Sequence, residues 1–238
     1  MIKGYSFKGS QYNWGYCHPD IPEGIFKIIK NNVLKERNAL SVTSMLSECL
    51  FKPKLEHAPN VYIYPEFDNL YYSSFRGSIF HSLLENTEKS LNEYPLELQL
   101  SPDITITGTI DSYHVPTRTL WDWKTIINCP SNPLIHHIKQ VLVYERMLVT
   151  AGFKVDKIAI CYFDYSKYKV FGDLLAEKGQ QAEVLQGILM NAKLYKSGTA
   201  RPNPCWLCNG KNRFGKIYCS CKEVCPAWRS SDYSGNED

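Results

Sequence analysis

The sequence predicts an α/β (α+β) fold, a mixed central sheet flanked by helices, with a small Cys-rich metal-binding module at its C-terminal end. Three observations predict it. Apolar residues recur at helical spacing in some segments and in strand-like runs in others. The strand-like runs come as three, then two, with one helix-like segment between them. Five of the nine cysteines crowd into positions 205–225.

The first 20 residues are aromatic and turn-rich, without a clear period. Residues 22–37 carry Ile25, Phe26, Ile28, Ile29, Val33 and Leu34 at helical intervals. Ser41 and Thr43 are N-cap candidates before a short segment, Ser44 to Leu50, that meets Pro53. Residues 75–91 read as a helix with Ile79, Leu83 and Leu84 on its apolar side. Leu96 to Leu100, Ile104 to Tyr113 and Thr119 to Ile127 then read as strands bounded by Pro, Ser or Asn. Leu134 to Thr150 has Ile138, Val141 and Leu142 at helical intervals, and Gly152 ends it as a C-cap does. Val155 to Asp164 reads as a buried strand and Tyr168 to Phe171 as a shorter one. A last helix runs from about Leu174 to Lys196 and closes at Ser197-Gly198.

With 238 residues and 44% hydrophobic side chains, the chain can bury a core, which excludes wholesale disorder. No run approaches the roughly 18 apolar residues of a membrane span. The opening residues lack the apolar core of a signal peptide. A cytoplasmic protein with no membrane partner is the expectation. The net charge of +3 hides an asymmetry. Residues 230–238 hold three acids and no base, which leaves the rest at +6, and residues 193–229 hold eight Lys or Arg against Glu223 alone. That local excess is either a footprint for a polyanion such as nucleic acid or a solvated basic face. An odd cysteine count with no leader argues for metal binding over a disulfide framework.

The chemistry concentrates in Gly108-Thr-Ile-Asp111 and Asp122-Trp123-Lys124-Thr125. Carboxylates on adjacent strands can share a hard cation, Mg²⁺ or Mn²⁺. The strand period of two puts Asp122 and Lys124 on one face, with Trp123 turned away. A cation there would activate water toward a phosphodiester, with the lysine beside it. A surface Asp–Lys pair is the plainer alternative. Upstream, Gly77-Ser-Ile-Phe-His81 offers an imidazole on a helix. Downstream, Gln140 and Tyr144 share a helix face at i and i+4, with His136 and His137 one turn earlier.

Taken in order, Gly-x-x-x-His, Gly-x-x-Asp, Asp-x-Lys-Thr and Gln-x-x-x-Tyr resemble the RecB-like branch of the PD-(D/E)xK nuclease family, over about residues 41–225. The resemblance implies a restriction-endonuclease-like core. It implies metal ligands at His81, Asp111 and Asp122, the Trp123 carbonyl as a further ligand, and Lys124 as the residue that orients or activates water. It implies that Gln140 and Tyr144 shape the site and contact the DNA strand. The segment from Ser41 to Cys49 resembles the opening helix of the iron–sulfur nucleases of this branch, among them the CRISPR-associated exonuclease group. There one such cysteine joins three near the C-terminus. The implied 4Fe–4S ligands are Cys49, Cys205, Cys208 and Cys225, with Cys219 or Cys221 as substitutes. This chain departs from that pattern by offering five C-terminal cysteines. Cys205, Cys208, Cys221 and Cys225 alone also make an acceptable zinc site. Cys17, Cys129 and Cys161 read as ordinary cysteines.

The expected organisation is an N-terminal extension and helix (1–40), the nuclease core (41–200), a cluster-binding module packed with Cys49 (201–229) and an acidic tail (230–238). The expected function is a metal-dependent exonuclease on single-stranded DNA, in CRISPR adaptation or in phage recombination and repair. The alternative is a zinc-stabilised nucleic-acid-binding module with an inactive nuclease fold. Lys124→Ala and Asp111→Asn are expected to abolish cleavage with little loss of folding. Cleavage polarity and oligomeric state have no signature in the sequence.

Overall fold

A computed structural model of the chain describes residues 40–56, 77, 79, 89–164, 166–201 and 225. The helix expected at 22–37, His81, Cys205, Cys208, Cys219 and Cys221 lie outside the described residues. The chain divides into two compact units. The larger comprises Glu36–Leu46 and Ser73–Lys193, and the other Met1–Lys35, Ser47–Tyr72 and Leu194–Asp238.

In chain order the described elements are α1 (Val42–Met45), α2 (Phe51–Glu56), β1 (Ser90–Ser101), β2 (Ile104–His114) and β3 (Thr119–Thr125). They continue with α3 (Ile135–Thr150), β4 (Lys157–Phe163), β5 (Tyr168–Phe171), a 3₁₀ helix (Leu174–Gln180) and α4 (Gln181–Lys196). The five strands form one mixed sheet in the order β1-β2-β3-β4-β5. Neighbours are antiparallel except β3 and β4. A parallel pair needs a crossover, and α3 supplies it. Its Val141, Leu142, Met147 and Leu148 are fully buried. So are Ile106, Ile110, Leu120, Ile158 and Ile160 of the strands, and α3 contacts β1 through β4. β4 is buried along Ile158–Tyr162, as its unbroken apolar run requires.

Three boundaries differ from the sequence reading. The helix expected over 75–91 stops short: Gly77 and Ile79 are helical, but β1 begins at Ser90. Apolar alternation starts only at Leu96, because Glu93 interrupts the strand with a positive φ of 46°. Ser41, not Thr43, caps α1: its Oγ accepts from Ser44 N at 3.2 Å, and the helix closes at Met45. The last helix opens with a 3₁₀ segment that carries Gly179.

Gly108 lets α3 approach the sheet. A Cβ there would lie 2.7 Å from Tyr144 Cε1, 3.1 Å from Met147 Sδ and 3.2 Å from Val42 Cγ2. Gly108→Ala is expected to cost about 1–3 kcal/mol through overpacking and to push Tyr144 aside. Urea titration checks this, and an unchanged midpoint would refute it.

Candidate active site

β2 and β3 pair only at Ser112–Trp121, Tyr113–Leu120 and His114–Thr119. Beyond that point the next partners are Asp111 and Asp122. There a side chain replaces the backbone: Asp111 Oδ2 accepts from Trp123 N at 2.6 Å. On its other side Asp111 falls at the position that the β1–β2 pairing skips, opposite Glu93. Irregular pairing of this kind re-aims side chains. Gly108 lies under Tyr144 of α3, yet Tyr113 also reaches that side, through Phe153 and a hydrogen bond to Lys154 O just past α3. The inward phase of β2 therefore slips by one residue around Asp111. Where β3 leaves β2, the vacated edge is taken by Leu40 and Ser41: Thr107 N donates to Leu40 O at 3.1 Å, and Ser41 bridges Thr107 in parallel.

The opening between β2 and β3 brings three predicted residues together. Lys124 Nζ lies 2.8 Å from Asp122 Oδ1 and 2.7 Å from Oδ2, so the ammonium straddles the carboxylate. Asp122 is 1% exposed and the Lys124 side chain 19%. Burial alone would lower the Lys124 pKa, but the carboxylates of Asp122 and Asp111 outweigh it and raise the pKa. Trp123 faces the other way and stacks on Trp121, ring centroids 5.2 Å apart.

α3 covers this site. Gln140 Nε2 donates to Tyr144 Oη at 2.9 Å, which leaves the phenol its own proton to donate. Burial pushes the Tyr144 pKa up to about 12. Gly77 lies near β3, its Cβ direction ending 3.5 Å from Thr125 Oγ1, so the Gly-x-x-x-His and Asp-x-Lys-Thr motifs meet at their glycine and threonine. Two hard oxygen donors facing across a strand opening suit Mg²⁺ or Mn²⁺. Among the described residues there is no group of three or more His, Cys, Asp or Glu arranged for a metal. Cys49 is buried and Cys225 half-buried, both thiols, and both belong to the smaller unit.

One residue of this neighbourhood, Tyr162, was not singled out from the sequence, and another, His137, was placed only on the polar strip with Gln140 and Tyr144. Tyr162 of β4 is the parallel-register partner of Lys124. Its Oη lies 2.8 Å from His137 Nδ1 and accepts from Leu134 N at 3.0 Å. Burial, the Lys124 charge and His136 bring the His137 pKa down to about 3. A histidine kept neutral in the fold stabilises it above the ordinary value of about 6.5, and that contribution is lost as pH falls toward the folded value. Lowering pH from 7 to 5 is expected to cost the wild type about 1–2 kcal/mol through this residue. His137→Gln should remove that part of the loss. Denaturant midpoints at both pH values check this, and equal losses in the two proteins would refute it.

No protein-family model and no curated protein matches the chain. The fold is similar to that in the crystal structure of SSO0001, with a TM-score of 0.58 and 17% identity over 87% of this chain and 95% of that chain. A protein from Eubacterium rectale provisionally named an exonuclease matches with a TM-score of 0.41 and 14% identity, over 79% of this chain and 80% of that one. The likeness to SSO0001 shows a shared fold; the second is too slight to build on. Among the described residues no helix is long and apolar enough to cross a membrane.

Proposed function

We propose that the chain is a divalent-metal-dependent deoxyribonuclease, an exonuclease on single-stranded DNA with a structural iron–sulfur cluster. The observation that carries the nuclease reading is the meeting of Asp111, Asp122 and Lys124 where β2 and β3 part. Asp111, Asp122, His81 and the Trp123 carbonyl would hold Mg²⁺ or Mn²⁺. Such a cation supplies Lewis-acid stabilisation of phosphoryl charge and a more acidic water. Lys124 places an ammonium beside that centre, where it orients the attacking water and offsets charge on the phosphoryl group. Tyr144, steadied by Gln140, offers its O–H to a phosphate oxygen. Burial of the Asp122–Lys124 pair strengthens these interactions, because little water screens them.

The preference for single strands and the cluster rest on the family resemblance. The test uses anaerobically purified wild type, Asp111→Asn and Lys124→Ala with end-labelled single-stranded DNA, with and without Mn²⁺. Metal-dependent release of label by the wild type, lost in both variants, is the expected result. Binding without cleavage by the wild type would favour the zinc-stabilised binding module. Cys49→Ser should lower iron content and visible absorbance; full iron in that variant would remove Cys49 from the ligand set.

A further inference from the structure

Tyr162 Oη sits between two nitrogens. Leu134 N is a backbone amide and can only donate, so at 3.0 Å it fills an acceptor position on Oη. The phenol then has one proton left to place, and His137 Nδ1 lies 2.8 Å away. If Tyr162 donates to Nδ1, that nitrogen carries no proton, and the neutral ring bears it on Nε2. The opposite arrangement would make Oη accept twice and leave the proton of a fully buried phenol without a described partner.

The pair stands beside the catalytic strand. Tyr162 and Lys124 are register partners on adjacent parallel strands, so their side chains share a face of the sheet. The groups acting on His137 are Lys124 from β3, Tyr162 from β4 and His136 on its own helix. No described residue accepts a hydrogen bond from His137 Nε2, and the ring is half-buried. A neutral donor held at a fixed tautomer beside a lysine suits an anionic oxygen of the substrate. It cannot serve as a base, and its free nitrogen is the protonated one, which is unsuited to a metal.

We infer that His137, its tautomer set by Tyr162, donates a hydrogen bond from Nε2 to a phosphate oxygen of the bound strand and positions it over Lys124. This assignment rests on the nuclease reading above and adds a residue to it. The pairing is written into the fold, because the tautomer depends on Leu134 N, the residue that opens α3.

Two measurements test it. Long-range ¹H–¹⁵N spectra of the full chain labelled with ¹⁵N-histidine, read with His136→Gln and His137→Gln for assignment, should show His137 neutral at pH 7 with the proton on Nε2. A proton on Nδ1, or a charged ring, overturns the inference. Cleavage of end-labelled single-stranded DNA with Mn²⁺ gives the second readout. His137→Ala should raise KM or lower kcat so that kcat/KM falls at least tenfold, and His137→Gln, which restores a donor near the Nε2 position, should recover most of that loss. Tyr162→Phe should weaken cleavage and broaden or shift the His137 signals. Undiminished cleavage by His137→Ala overturns this inference alone. Absence of cleavage by the wild type overturns the nuclease reading and the phosphate role of His137 together.

Discussion

Lys124→Ala is expected to abolish cleavage and also to destabilise the fold by about 3–5 kcal/mol, the usual cost of leaving one member of a buried ion pair uncompensated. The first part follows from position, since the ammonium is paired with Asp122 and feels the charge of Asp111. The second part departs from the expectation of little loss of folding, because the pair is buried. Asp122 is 1% exposed and is held at both oxygens by Lys124, so removing the lysine strands a carboxylate in a dry setting. The double variant Asp122→Asn, Lys124→Met should be more stable than Lys124→Ala, because no lone charge remains. Urea titrations at pH 7 of the three proteins make the comparison. Wild-type stability for Lys124→Ala would show that the pair is hydrated in solution. The sign with pH is settled by the raised lysine pKa: the contribution is whole below the ordinary lysine value of about 10.4 and is lost as pH rises beyond it. Between pH 6 and 9 the pair should therefore add nothing to the pH dependence.

The parts of the fold that the sequence disclosed are those where one period governs a whole element. β5 and most of α3 and β4 were legible because apolar residues keep strand or helix spacing from end to end. β1 was legible only from Leu96, where alternation begins; its first half runs through Glu93 in a left-handed conformation, and no periodicity survives such a residue. Asp111, Asp122 and Lys124 were legible as a motif, since a period of two joins Asp122 to Lys124 along one strand. Their register across strands was not, because it depends on Asp111 taking the Trp123 amide in place of a backbone carbonyl. Tyr162 was hidden for a similar reason. It meets Lys124 only through the parallel pairing of β3 with β4, and it sat within an apolar run that read as core. Gly108 stood in the motif beside Asp111, but its close contact with Tyr144 needed the crossover helix in place.

Glu145→Ala is expected to lower stability by about 2–3 kcal/mol, or about 4–12 °C in Tm for a chain of this size, without removing catalytic chemistry. Glu145 follows Tyr144 on α3, is 1% exposed, and accepts from Lys178 Nζ at 2.7 Å and Gln181 Nε2 at 2.6 Å. The same Gln181 amide donates to Leu142 O at 2.7 Å, so one amide and one carboxylate pin the junction of the 3₁₀ helix and α4 onto the back of α3. A carboxylate in mid-helix would be costly to bury unless paired, and these two donors are what make it tolerable. The two ends of the clamp are unequal. The Lys178 side chain is 51% exposed, so Lys178→Ala should cost only about 1 kcal/mol, water and Gln181 taking over part of its role. Losing Glu145 instead removes both charge-assisted bonds and leaves a gap in the packed face. Thermal melts order the two variants, and cleavage at 20 °C separates stability from chemistry. Equal melting of Glu145→Ala and wild type would deny the clamp. Loss of cleavage with unchanged melting would instead move Glu145 into the site, acting through Tyr144.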